Sequence, residues 1–407
     1  MSANSGDLML DTIDLPHPTP LLSRVPFPLG RAAVLGAGAW GTALAAALQR
    51  AGVVTTLWAR RADHASRIHT THSHDDLPGV ELPLSLTATS DLAAAIQGAQ
   101  LVLLAVPASA TRELASHLSG RLASGTLVLT ASKGFERETG AFMTEVLDDA
   151  LGRGVLTGAL SGPSFAIEVA RGEPTLLTLA MAALDPLHSG HRTAQRQANA
   201  LMRALGHAAI RVETTSDVIG VQVGGALKNQ VAIACGMATA LGMGENARAG
   251  ILSRGLDDMR QLTLALGGQA DTLLGSCGVG DLFLTASSTQ SRNTRLGMRI
   301  VREGPAARLE QHELAEGAIS ARTVVVLERE LGIRLDLAAA IRDVFAGVRS
   351  PAQALASLLE PRPHSAPPRR TVGQHAPAAR LPALLRPLEG SRHAPAAMPA
   401  TAVRSHV

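Results

Sequence analysis

Six residues constrain this chain more than any others. Gly36-Ala37-Gly38-Ala39-Trp40-Gly41 reads G-x-G-x-x-G. The motif follows the short apolar run Ala32-Ala33-Val34-Leu35 and opens a segment from Trp40 to Arg50 with helical character. A strand that turns sharply into a helix needs a first glycine at the tight turn. A second lets the backbone approach a pyrophosphate, and a third lets the helix pack closely on the strand. The helix N-terminus then presents free N–H groups to an anion. The alternative is a glycine-rich turn that binds nothing, but the strand before it and the helix after it favour a dinucleotide site.

The pattern repeats downstream. Val53 to Trp58 is β-branched, Leu101 to Val106 is an apolar run ended by Pro107, and Leu127 to Thr130 is another. Leu156 to Leu160, Thr175 to Leu179 and Ala209 to Val212 continue the series. Apolar runs separated by helical stretches predict a parallel sheet covered on both faces. Past about Thr215 the strands stop. Val218 to Leu241 reads as one long Gly- and Ala-rich helix, and Arg248 to Leu266 and Ser320 to Leu331 are also helical. The expected class is α/β, an N-terminal Rossmann-type parallel-sheet domain followed by an all-α C-terminal domain. The expected boundaries are an extension over 1–29, the NAD(P)-binding domain over 30–214, a helical substrate domain over 215–360, and a Pro/Ala/Arg-rich tail over 361–407 whose composition predicts disorder.

Composition narrows the function. The 407 residues are 46% hydrophobic and carry a formal net charge of +3. The tail holds seven Arg and one acid, so residues 1–360 carry a net charge of −3. With 2% aromatics and no Tyr, nothing resembles a basic stripe with interleaved aromatics, and nucleic acid is not an expected partner. No run of about 18 uncharged apolar residues predicts a spanning helix. The N-terminal stretch carries acids and prolines where a secretion signal needs a basic and then an apolar segment, and Cys235 and Cys277 cannot build a disulfide framework or a zinc cluster. No metal site and a cytoplasmic setting are expected. Of 37 basic residues only Lys133 and Lys228 are lysines. A chain that uses Arg for generic cations keeps Lys where an ammonium of adjustable pKa is needed, or by chance.

The surroundings of the two lysines favour the first reading. Lys133 directly follows the strand Leu127–Thr130, where ligands bind in open α/β sheets. Ser161-Gly162-Pro163-Ser164-Phe165-Ala166 also follows a strand, and it offers N–H groups and a hydroxyl to an anion or cofactor, or forms an ordinary strand-helix turn capped by Ser164. Lys228 lies in Gly224-Gly225-Ala226-Leu227-Lys228-Asn229, on an apolar helix where an unpaired ammonium is costly. Asp281 is a candidate partner. Ser291-Arg292-Asn293 offers a hydroxyl, a guanidinium and an amide to a phosphate, or forms an ordinary polar loop. At the end of the second strand, Arg60 and Arg61 suit the 2′-phosphate of NADPH, whereas Asp63 nearby could serve the ribose of NADH.

From roughly Arg31 to Leu359 the chain resembles the bacterial NAD(P)-dependent glycerol-3-phosphate dehydrogenases. GAGAWGTAL, SKGFERETG, SGPSFAIEVA, IGVQVGGALKN, SCGVGDL and QSRN occur in that family's order. The resemblance implies reduction of dihydroxyacetone phosphate to sn-glycerol 3-phosphate with NADPH or NADH, in supply of phospholipid synthesis. It implies Lys228 as proton donor and acceptor. Substrate contacts fall to Lys133, Gly162, Ser164, Lys228, Asp281, Ser291, Arg292 and Asn293. Cofactor contacts fall to the motif glycines Gly36, Gly38 and Gly41 and to Trp40, Arg60, Arg61, Lys133, Ala166, Arg292, Leu314 and Glu316. Around Leu314 and Glu316 the sequence LAEG departs from the family's VVEGV. The expected partner is a small phosphate substrate, and a homodimer is one possible assembly. The competing expectations are a β-hydroxyacid dehydrogenase of similar layout, which would take a carboxylate, and a non-catalytic NAD(P) sensor, whose hallmark would be a missing proton donor.

Overall fold

The computed structural model describes residues 29–304 and 316–361, with side chains in the second stretch from residue 323 onward. The N-terminal extension short of Leu29, Leu314, the side chain of Glu316 and the tail beyond Pro361 lie outside the described residues. The first part of the chain alternates strands with helices. Its strands are β1 (Arg31–Leu35), β2 (Val54–Trp58), β3 (Thr87–Thr89), β4 (Leu101–Leu104), β5 (Leu127–Thr130), β6 (Leu156–Ser161), β7 (Thr175–Ala180) and β8 (Ile210–Thr215). They form one sheet in the order β3-β2-β1-β4-β5-β6-β7-β8. β4 and β5 are buried at every position and β1 at all but its first, as expected of strands covered on both faces.

The first six strands are mutually parallel, but β6 and β7 pair antiparallel, with Leu160 opposite Leu179. The sequence pattern predicted a uniformly parallel series and did not show this reversal. The connecting helix, Ala166–Arg171, has six residues. At 1.5 Å per residue it spans about 9 Å, too short to carry the chain back along a strand of about 20 Å. The 16-residue helix His191–Gly206 is long enough, and β7 and β8 pair parallel. The strand β3 also went unpredicted, since three residues TAT carry little apolar signal.

After β8 the described residues contain no further strand. The helix Val218–Ala240 runs through the middle of the second half and is buried along most of its length. It is apolar and long enough to meet the criteria for a membrane span, but 89% of its apolar window is buried inside the molecule. The helix Arg292–Glu303 crosses it at very close range: a Cβ added at Gly236 would sit 2.0 Å from the Thr294 carbonyl, and one at Gly297 2.0 Å from the Ile233 carbonyl. Two glycines without side chains thus let two backbones touch, which draws the Ser291-Arg292-Asn293 segment against the lysine helix.

Candidate active site

Two groups of residues gather at the carboxyl end of the sheet. The first surrounds the glycine motif. β1 lies between β2 and β4, so the chain departs to opposite sides after these neighbouring strands, leaving a crevice at their ends. Gly36 turns out of β1 with φ +114°, and a Cβ there would lie 2.5 Å from the Ala105 carbonyl that follows β4. At Gly41 an added Cβ would lie 1.9 Å from the Gly36 carbonyl. At Gly38 it would meet nothing within 4 Å. The first and third glycines are therefore required by the fold, and the second leaves open space over the helix N-terminus. The helix Ala39–Arg50 has no side-chain cap, so its first-turn N–H groups face that space. A pyrophosphate fits this combination of free donors and missing side chain. Trp40 packs against the core on the first helical turn. Arg60 and Arg61 are exposed just past β2, with Arg61 3.9 Å from Asp63.

The second group centres on Asp281. The chain's two lysines converge on this one carboxylate. Lys133 Nζ donates to Oδ2 at 2.7 Å, and Lys228 Nζ donates to Oδ1. Lys228 also donates to Thr285 Oγ1 at 2.9 Å, and Lys133 reaches the Gly162 carbonyl at 3.4 Å. Lys228 and Asp281 are buried, at 8% and 1% exposure. Burial is the largest influence on Lys228 and, with the neighbouring Lys133 ammonium, pulls its pKa down to about 7 against the opposing pull of Asp281. Burial alone would raise the Asp281 carboxyl, but Lys133 and Lys228 together hold it below the ordinary range. With both lysines protonated the triad carries one net positive charge in a desolvated pocket, which suits an anion.

Each member arrives by a different route. Asp281 begins the helix Asp281–Ser287 after a single π-helical turn, Ser276–Gly280. Such turns concentrate at functional sites. The lysine helix meets this turn at Gly224, where an added Cβ would lie 2.6 Å from the Cys277 carbonyl. The Lys133 loop is fixed by Ser132 Oγ, which donates to the Val106 carbonyl at 2.5 Å, and by the Glu136 carboxylate. Arg112 grips Glu136 at 2.6 and 2.9 Å and also pairs with Asp149, while Thr139 donates to Glu136. Phe135 and Phe142 stack at 5.1 Å and enter the core of the helical half, tying the loop to both halves of the molecule.

The remaining predicted residues divide by what they touch. Ser164 Oγ donates to the Gly162 carbonyl at 3.1 Å, and Ala166 starts the next helix, with Phe165 rather than Ser164 at its N-cap position and no side-chain cap. Ser291 Oγ accepts from Thr294 N at 3.3 Å and caps the helix Arg292–Glu303, so its hydroxyl already has a structural task. Arg292 is exposed and has no ion-pair partner among the described residues. Asn293 Nδ2 donates to Asn229 Oδ1 at 2.9 Å, while its Oδ1 is buried with no partner. Three residues escaped the sequence reading. Thr285 lies four residues after Asp281 on one helix face, a spacing that was readable. Asn229 follows Lys228 directly. Ser161 Oγ is buried without a partner, and a Cβ on Gly225 would sit 3.4 Å from it and 3.3 Å from Lys133 Cγ.

Comparison with known proteins points one way. A family model described as the NAD-dependent glycerol-3-phosphate dehydrogenase N-terminus matches residues 31–185, and one described as the C-terminus of the same enzyme matches residues 217–356. The glycerol-3-phosphate dehydrogenase [NAD(P)+] of Rhodospirillum rubrum is 43% identical over 335 residues, covering 80% of this chain and 91% of the relative. That of a Bradyrhizobium strain is 43% identical over 315 residues, covering 77% and 91%. The crystal structure of glycerol-3-phosphate dehydrogenase from Coxiella burnetii superposes with a TM-score of 0.74 at 32% identity, covering 83% of this chain and all of that one.

Proposed function

This chain belongs to the NAD-dependent glycerol-3-phosphate dehydrogenase family, and from that premise we infer that the lysine centre interconverts dihydroxyacetone phosphate and sn-glycerol 3-phosphate. It is an NAD(P)-dependent oxidoreductase, and its product serves glycerophospholipid synthesis in the cytoplasm. The family assignment displaces the β-hydroxyacid dehydrogenase and sensor alternatives. The observation that carries the chemistry is the convergence of Lys133 and Lys228 on Asp281.

The bound nicotinamide supplies the hydride chemistry. What this chain's residues do follows from their placement. Lys228 as ammonium stabilises the charge developing on the carbonyl oxygen and gives it a proton, then takes one back in the reverse direction. Its lowered pKa makes both forms accessible near neutral pH. Asp281 and Thr285 hold the amine in place, and Lys133 adds a second ammonium on the substrate side. Gly162, Ser164 and Asn293 contribute dipoles to the same cleft. Ser291 acts by capping the helix that presents Arg292 and Asn293, and Arg292 meets the substrate phosphate. Gly36, Gly38, Gly41, Trp40 and Ala166 hold the coenzyme's phosphate side, and Arg60 and Arg61 its adenosine end. Leu314 and Glu316 are assigned to the cofactor by resemblance alone. A homodimer is the assembly to test by light scattering.

The test is coenzyme absorbance followed with dihydroxyacetone phosphate and, separately, with unphosphorylated dihydroxyacetone. Arg292→Ala should raise KM for the phosphorylated substrate by about 10–100-fold, the range for a charge-assisted contact, and lower kcat through misplacement. Equal losses on both substrates would show that Arg292 does not meet the phosphate.

A further inference from the structure

The Ala37 carbonyl, in the middle of the glycine loop, accepts hydrogen bonds from two histidines. His64 Nε2 lies 2.8 Å from it and His74 Nε2 3.0 Å. The rings meet edge to face, with centroids 5.3 Å apart. A carbonyl only accepts, so both Nε2 atoms carry hydrogen. The other ring nitrogens agree. His74 Nδ1 accepts from the Asp76 N–H at 3.1 Å, and His64 Nδ1 faces an Arg67 guanidinium nitrogen at 3.2 Å. Every polar atom of the two rings is thereby engaged, and both lone pairs of one carbonyl are taken.

The histidines come from different elements. His64 stands in the first turns of the helix Ala62–Thr71. His74 is buried in the following loop, which is pinned by Leu77, Val80 and Leu82 in the core and by the Leu82 N–H on the His72 carbonyl at 2.9 Å. The direction of the Ala37 oxygen determines that of the next peptide group. No described peptide bond is cis, so the Ala37 C=O and the Gly38 N–H point in opposite directions. Holding the oxygen on the histidine side turns the Gly38 N–H the other way. It also keeps an acceptor out of the space above the uncapped helix N-terminus, where it would repel a phosphate.

We propose that His64 and His74 are positioning residues for the coenzyme, a clasp that fixes the Ala37–Gly38 peptide with its donor toward the pyrophosphate. The proposal rests on the dinucleotide reading of the glycine loop. Because the pyrophosphate is common to both coenzymes, the clasp affects NADH and NADPH alike.

The test measures the Kd of each coenzyme by the fluorescence change of the reduced nicotinamide on binding, in the wild-type chain, the double variant His64→Ala/His74→Ala and the double variant His64→Gln/His74→Gln. Loss of both hydrogen bonds should weaken NADH and NADPH by the same factor, about tenfold. Glutamine, whose amide can donate from near the Nε2 position, should recover most of it. At saturating coenzyme, kcat and KM for dihydroxyacetone phosphate should stay within about twofold. A folded alanine variant with unchanged Kd overturns the clasp, as does a glutamine variant no better than alanine. If the double alanine chain fails to fold, the single His64→Ala and His64→Gln pair, at the partly exposed position, decides the same question. A wild-type chain that binds neither coenzyme overturns the dinucleotide reading and the clasp with it, an outcome distinct from a failure confined to the variants.

Discussion

In the proposed function the glycine cradle and the lysine centre both hold anions, and they would do so by opposite means. The cradle is built of absences: a missing Cβ at Gly38, an uncapped helix end, and peptide dipoles aimed by the chain's turn at Gly36. It contains no formal charge among its motif residues. The centre is built of buried charge, two ammonium groups on one carboxylate brought together across 148 and 53 residues of sequence. The difference teaches where each is vulnerable. The cradle fails by steric intrusion, and none of its motif residues carries a side chain that titrates. The centre is vulnerable through charge: any change in who carries a proton alters both its chemistry and its internal balance.

The largest expected effect lies in the centre and separates charge from acidity. Lys228→Arg keeps a cation, but a guanidinium with a pKa above about 12 cannot serve as the acid. We expect kcat to fall by roughly 10²–10⁴-fold, the contribution of general acid catalysis, with coenzyme Kd little changed because the cradle is built from other elements. An active Lys228→Arg enzyme would remove the proton-donor role. Loss of coenzyme binding would break the separation between the two regions.

Asp281→Asn attacks the balance instead. Asp281 opposes the burial that depresses Lys228, so its removal should push the Lys228 pKa further below about 7. Ketone reduction needs the ammonium and should decline as pH rises through that value. The variant's decline should therefore begin at lower pH, while the reverse oxidation, which needs the free amine, should gain relative activity under acid conditions. Stability moves in the matching sense. Asp281 is held below the ordinary carboxylate range, so its contribution is present above about pH 4 and is lost as acid titrates the folded state. Paired pH–rate profiles in both directions check this, and a variant profile that does not move would show that Asp281 does not tune the amine.

How legible these regions were in the sequence follows from the same contrast. The cradle is local, and a glycine spacing after a strand carries its geometry in six residues. The order of sheet then helices was readable from apolar runs for the same reason. The centre is non-local: nothing in the spacing of Lys133, Lys228 and Asp281 brings them together, and they stood out through the scarcity of lysine and through resemblance. The antiparallel turn at β7 escaped because it depends on the length of one short helix, which apolar patterning does not measure. His64 and His74 sit in a polar run, RADHASRIHTTHSHDD, that reads as solvated surface. Only the folded loop shows that both reach one carbonyl.

A pair of glycine substitutions sharpens the steric side of the comparison. At Gly36 a Cβ meets the Ala105 carbonyl in a backbone conformation with φ +114°, so Gly36→Ala should destabilise the fold by about 1–3 kcal/mol, seen as a lower Tm even without coenzyme. At Gly38 a Cβ meets nothing. Gly38→Ala should leave the Tm of the coenzyme-free chain nearly unchanged and weaken coenzyme binding, since the added methyl occupies the space assigned to the pyrophosphate. A Gly38→Ala chain with full coenzyme affinity would place the phosphates elsewhere.

The smallest expected effect concerns the charge just past β2, beside the cradle. Arg60 and Arg61 are exposed at the end of β2, and Arg61 stands only 3.9 Å from Asp63, close enough for the acid to compete for it. In high dielectric an exposed contact is worth about 0–1 kcal/mol, so replacing both arginines with Ala should raise KM for NADPH only several-fold. KM for NADH, which lacks the 2′-phosphate, should hardly move. Because the contact is exposed, the NADPH advantage should also shrink as salt approaches 1 M, where the screening length falls to about 3 Å. Asp63→Ala should act in the opposite sense, freeing Arg61 and favouring NADPH. Equal effects of the arginine substitutions on both coenzymes would make the pair part of the turn rather than of its selectivity, and the cradle would then discriminate by shape alone.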